Sequence, residues 1–259
     1  MILPQLPSLI DEVLPTRRIH LLAGVSDAGK TRFILPAMLE WEKGEPVLGR
    51  KSYPRPWAYV IGDRTLQDAY DSMRGMGINP DDVRCIPAFG KANKNVGQVL
   101  MAAQQMKPVP ELLVWEGFQD LPEGDRRQEV RTFLCNMSAY CEGDAGFPNG
   151  LTILGIVESP KLKPTERYTN PRQRVSGVSA WGYHSSTILL LESLENDLSF
   201  QTPNRILWIC TKNGPRRCVS AAFNTQGRLV SGEEIVIPEP SSKTKKKEKV
   251  PLRLELPIS

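Results

Sequence analysis

Residues Gly24, Val25, Ser26, Asp27, Ala28, Gly29, Lys30 and Thr31 satisfy the pattern G-x-x-x-x-G-K-[ST] in full. Each fixed position has a chemical reason. Glycines at 24 and 29 let the backbone turn its N–H groups inward, where they cradle phosphate oxygens at the positive end of the following helix. Lys30 is placed to reach β- and γ-phosphates, and the Thr31 hydroxyl to hold Mg²⁺. Arg32 follows directly and is counted with the loop as a nucleotide contact. The flanks fit this chemistry: the apolar run 19–23 reads as a buried strand and 31–35 as the start of a helix. That context argues against an ordinary glycine turn.

Chemistry on a bound triphosphate also needs an acid beside the metal and a group that places the attacking water. Two residues at strand ends answer this description. Asp63 closes Val60-Ile61-Gly62-Asp63, where a carboxylate can orient water in front of a γ-phosphate. Glu116 closes the apolar run 112–115, on the side where a Mg²⁺ acid is needed. A solvated loop acid is the plain alternative for each, and their shared placement after a phosphate loop weighs against it.

The elements that must position these residues alternate along the chain. After the loop the pattern predicts a helix to about 43, a strand at 57–61, and a helix whose apolar positions Leu66, Ala69, Tyr70 and Met73 end at Gly75 and Gly77. A strand at 84–88, a helix over 96–106, a strand at 111–116, a helix over 126–140 and a strand at 151–157 follow. Beyond a polar loop from 159 to 177, strands are expected at 187–191 and 205–211, with 219–223 returning as a hairpin. Such alternation predicts an α/β fold: a mostly parallel twisted sheet, helices on both faces and late antiparallel strands, with ligands at the carboxyl ends of the parallel strands. Residues 1–16 read as a lead-in segment, 17–238 as one domain, and 239–259 as a Lys-rich, disordered tail.

Composition narrows the function classes. The net charge of +4 is carried wholly by the segment 241–249, which holds five lysines against Glu248. The body is neutral, so contact with nucleic acid has to come from local basic loops. The five cysteines are scattered without a C-x-x-C pair and only two histidines accompany them, which argues against zinc or disulfide frameworks. With no long apolar stretch and no charged-then-apolar leader, the expected setting is the cytoplasm, away from membranes.

In this order the parts resemble the RecA-like P-loop ATPases, most closely the RepA- and DnaB-type hexameric replicative helicases, over residues 17 to 230. In that family the strand after the loop helix ends in a small residue and a catalytic Glu. Here Tyr59-Val60-Ile61-Gly62-Asp63-Arg64 is similar and puts Asp63 at the catalytic position. Leu112-Leu113-Val114-Trp115-Glu116 corresponds to the strand of the metal acid, and 153–161 to a strand that ends in polar or His residues and then Lys. This chain departs from the family at three acids. Asp63 is one methylene shorter than the usual Glu, Glu116 one longer than the usual Asp, and Glu158 stands where a polar or His group is usual.

The resemblance implies ATP and Mg²⁺ as cofactors, homo-oligomeric assembly as a hexameric ring, and single-stranded DNA as partner. Loops like 161–174 line the central channel in that family. Here the stretch carries five basic residues (Lys161, Lys163, Arg167, Arg172 and Arg174), one acid and Tyr168. Basic side chains suit phosphates and an aromatic suits a base, while a solvated surface loop is the alternative. Residues 175–181 resemble the Gly-Ser-rich return into the next strand. The turn Thr211-Lys212-Asn213-Gly214-Pro215-Arg216-Arg217 resembles one that places cations on the γ-phosphate of a neighbouring subunit. Lys212 is the best match, with Arg216 or Arg217 as the second cation, against a plain hairpin turn. The activity implied is a DNA-stimulated ATPase and helicase. A recombinase-like filament protein and a nucleotide-gated scaffold with weak hydrolysis are the alternatives.

Overall fold

A computed structural model describes residues 7–88, 96–122, 127–143, 146–159, 179–193, 203–212, 216–224 and 229–237. Among them, β1 (Ser8–Ile10) and β2 (Leu14–Pro15) form a small antiparallel pair. The phosphate loop lies between β3 (Ile19–Gly24) and α1 (Lys30–Glu42). The chain continues through β4 (Trp57–Ile61), α2 (Leu66–Gly75), β5 (Cys85–Pro87), α3 (Val96–Gln105), β6 (Leu112–Trp115), α4 (Arg127–Cys141) and β7 (Thr152–Glu158). The described part closes with α5 (Ser179–His184), β8 (Thr187–Ser193), β9 (Asn204–Thr211), β10 (Arg216–Phe223) and β11 (Leu229–Ile237).

The main sheet has nine strands among the described residues, in the order β11-β10-β9-β8-β3-β7-β6-β4-β5. The six strands from β8 to β5 run parallel and the pairs from β8 to β11 are antiparallel. Alternate residues of each parallel strand enter two cores, as a period of two demands. Leu22, Tyr59, Val114, Leu154 and Leu189 pack with α1, α2 and the β1–β2 segment. Leu21, Val60, Leu113, Ile153 and Ile188 face the other way, onto α3, α4 and α5. Trp41, Trp57 and Trp115 are fully buried, and burial of such a side chain contributes about 1.5–3 kcal/mol.

Three elements differ from the sequence-based expectation. Of the residues expected as a return into a strand, 179–181 begin α5, which is too short to show a helical period. The hairpin strand starts at Arg216 rather than 219, and β11 follows it with Gly232, Glu233 and Glu234 interrupting its apolar run. The segment before the sheet is tied into the body: Leu9, Ile10, Val13 and Leu14 are buried, and the Trp41 indole donates to the Leu9 carbonyl at 3.0 Å. The basic stretch holding Lys161, Lys163, Arg167, Arg172 and Arg174, and the Lys-rich tail, lie outside the described residues. Among those described, no helix is long and apolar enough to cross a membrane.

Candidate nucleotide-binding site

Parallel strands bring their carboxyl ends to one edge of the sheet, and register decides which side chains meet there. Gly24 pairs with Glu158, and Val60 with Trp115, so the loop, Asp63, Glu116 and Glu158 converge. They line a cleft of about 650 Å³ together with Ser26, Asp27, Arg32 and Arg64. The loop is wound by two residues of positive φ, Asp27 at 64° and Gly29 at 92°. Gly29 cannot be replaced easily: a Cβ there would collide with the ring of Phe223. α1 begins at Lys30, and the Lys30, Thr31 and Arg32 of its first turn line the cleft, where the unpaired N–H groups of a helix start suit phosphate.

The Lys30 ammonium donates to the Gly24 and Val25 carbonyls, both at 2.9 Å. Burial pulls its pKa down, while Glu158, Asp63, Asp27 and Glu116 favour the charged form. Thr31 Oγ1 donates to Glu116 Oε1 at 2.9 Å. Glu116 is only 1% exposed, and it is held from behind: Glu116 N donates to the Val60 carbonyl at 2.9 Å, and Phe118 just after it packs on Trp115, Phe133 and Trp181. Gly62 has to be small because a Cβ would strike the Glu116 carbonyl. The small residue before Asp63 is therefore what lets the two acid-bearing strand ends close on each other.

Asp63 is half exposed at the cleft mouth. Desolvation, and then the neighbouring Glu116, push its pKa up to about 6 against the opposing pull of Arg64. Arg64 is the unexpected member of this wall. Its Nε donates to Glu116 Oε2 at 3.1 Å, and its Nη2 pairs with Glu116 Oε1 and donates to Thr31 Oγ1 at 3.2 Å and Tyr59 Oη at 3.4 Å. Thr31 and Glu116 offer the hard oxygen donors that suit Mg²⁺. Among the described residues no three His, Cys, Asp or Glu side chains gather into a metal cage, so a Mg²⁺ here would draw its remaining ligands from phosphate and water.

Sequence reasoning missed Arg64, Arg205 and Phe223. Arg205 is 3% exposed, its Nε donates to the Ala28 carbonyl at 3.2 Å, and its guanidinium lies 4.9 Å from the centre of the Phe223 ring. Both line the cleft. The available signal was topological: an antiparallel β9 must begin, and β10 end, at the edge where the parallel strands stop.

Lys212 stands at the other edge. Thr187 pairs with Thr211, and Lys212 N donates to the Ser186 carbonyl at 2.8 Å, placing an exposed side chain where β8 starts. The seven residues of β8 separate it from the cleft, roughly 20 Å at the usual rise. Arg217 lies at that edge too, only 14% exposed and paired with Glu12 at 2.8 Å and Glu234 at 3.6 Å. Arg216 begins β10 beside it.

The fold has counterparts among solved proteins. A KaiC-like protein from the hyperthermophilic archaeon Pyrococcus horikoshii superposes with a TM-score of 0.57 at 15% identity, covering 88% of this chain and 97% of its own. A second solved structure, an ATPase domain, gives a TM-score of 0.61 at 12% identity over 84% of this chain and 85% of that one. This is a RecA-like P-loop fold. The family described as an AAA domain matches residues 2–84, a span that takes in the loop, Asp63 and Arg64 of the RecA-like core. No curated protein sequence matches the chain.

Proposed function

We propose that the chain is a motor subunit that hydrolyses ATP between copies of itself and moves on single-stranded DNA, as the hexameric replicative helicases it resembles do. The observation that carries this reading is the separation of two lysines across the sheet. Lys30 lies in the loop, whereas Lys212 projects from the opposite edge and can serve a phosphate only on a second copy.

In this reading the loop N–H groups and Lys30 hold the β- and γ-phosphates, and Arg32 lies at the rim. Thr31 and Glu116 would hold Mg²⁺, which supplies charge neutralisation when bound. Asp63 in its ionised form orients the attacking water. Lys212 of the adjacent copy offsets charge that builds during transfer. Arg217, paired within its own chain, supports the hairpin that carries Lys212. The basic stretch from Lys161 to Arg174 grips the DNA backbone; Ser159, the last described residue before it, lies beside the phosphate loop, its N–H donating to the Gly24 carbonyl at 3.0 Å.

One observation favours a second reading, a nucleotide-gated scaffold with little turnover: Glu116 is already held by Arg64. The two part on ATP hydrolysis measured with and without single-stranded DNA. A motor shows DNA-stimulated hydrolysis that vanishes in Lys30→Ala. In Lys212→Ala it falls about 10²–10³-fold with nucleotide binding retained, and mixing the two variants restores part of the rate. Nucleotide binding without hydrolysis in either condition supports the scaffold. A helical filament instead of a ring in electron micrographs supports a recombinase-like protein.

A further inference from the structure

Resting on the nucleotide reading, we infer that Arg64 is a resident cation standing in the place of the nucleotide's divalent metal, so that metal–nucleotide binding and release of Arg64 are one event. The guanidinium contacts the same oxygens a Mg²⁺ would need. Both Glu116 carboxylate oxygens and Thr31 Oγ1 lie on it.

Burial explains why a cation is there. A carboxylate withdrawn from water as completely as Glu116 needs a charged partner. Lys30 does not fill that role, because its ammonium is spent on the Gly24 and Val25 carbonyls. Arg64 neutralises Glu116 until the metal replaces it.

The two cations exclude each other. A Mg²⁺ bonded to Thr31 Oγ1 at about 2 Å would sit within roughly 5 Å of Arg64 Nη2, and like charges at that range in a partly dry site repel strongly. Glu116 Oε1 already accepts from both Thr31 Oγ1 and Arg64 Nη2, so a metal there would have to displace one of them. Arg64 has a way out: its side chain is 25% exposed, and the half-exposed Asp63 carboxylate lies 3.8 Å from its Nε. It sits between the end of β4 and Thr65, whose hydroxyl accepts from Asp68 N to cap α2. Rotation of the side chain therefore disturbs neither element. Arg64 acts as a positioning residue that sets how much metal the site demands.

The test is a Mg²⁺ titration of the full chain with a fluorescent ADP analogue, comparing wild type with Arg64→Gln and Arg64→Lys. Loss of a charge-assisted competitor lowers the half-saturating Mg²⁺ concentration of Arg64→Gln by about tenfold to a hundredfold. Arg64→Lys, a point charge without the fork, shifts it less and in the same direction. Equal or higher midpoints in the variants overturn the inference, as expected if Arg64 only supports the fold. If circular dichroism shows Arg64→Gln unfolded, the Arg64→Lys midpoint decides alone. Wild type that binds no nucleotide at any Mg²⁺ concentration defeats the nucleotide reading itself; normal binding with unmoved midpoints defeats only the role of Arg64.

Discussion

The two walls of the cleft are built on different principles. The loop wall, from Gly24 to Thr31, works through backbone N–H groups and a helix start, so its competence is set by φ and ψ and by the smallness of two glycines. The opposing wall, Asp63, Arg64 and Glu116, works through side chains that neutralise one another across strands. One wall waits for an anion; the other is already satisfied by its own charges. On the proposed reading, phosphate capture is a property of local chain geometry, while metal uptake and turnover depend on how those charges rearrange.

Breaking the loop wall gives the largest effect. Gly29→Val combines a β-branched residue at a φ of 92° with a collision against Phe223, a strain of about 1–3 kcal/mol before any repacking. Nucleotide binding is lost by fluorescence titration, and the melting temperature falls. Removing only the water-positioning acid of the opposing wall leaves binding intact. Asp63→Asn lowers hydrolysis about 10²-fold with nearly unchanged nucleotide affinity. Because the carboxylate is the active form and its pKa is raised to about 6, wild-type rate climbs as pH rises through that value, and the step is missing in Asp63→Asn. The smallest change sharpens the comparison at the rim: Phe223→Ala removes the ring over Gly29 and beside Arg205, weakening nucleotide binding a few-fold, about 1 kcal/mol, with the pH profile unmoved.

The difference between the walls also explains what could be read from the chain. The loop is contiguous, so its eight residues carry its geometry and its flanks. The strands at 57–61 and 112–115 are fully apolar runs and declared themselves, as did the helix of Leu66, Ala69 and Met73. Asp63 and Glu116 were found because strand ends are legible once strands are. Arg64 carries no local mark of a site, since nothing near it in sequence says that Glu116, 52 positions away, lies on its guanidinium. Arg205 and Phe223 were hidden for the same reason: their place depends on strand order. β11 escaped notice because Gly232, Glu233 and Glu234 interrupt its apolar pattern.

The pairing of β9 with β10 runs from Arg216↔Cys210 to Ala222↔Asn204 without a break in register. One end of this ribbon carries Arg205 and Phe223 against the phosphate loop, and the other carries Lys212. Between these ends the β9–β10 register is continuous. Strain placed on Phe223 by an arriving nucleotide would therefore load the same paired strands that end beside Lys212. In the assembly proposed above, occupancy of one cleft would then bear on the cleft next door.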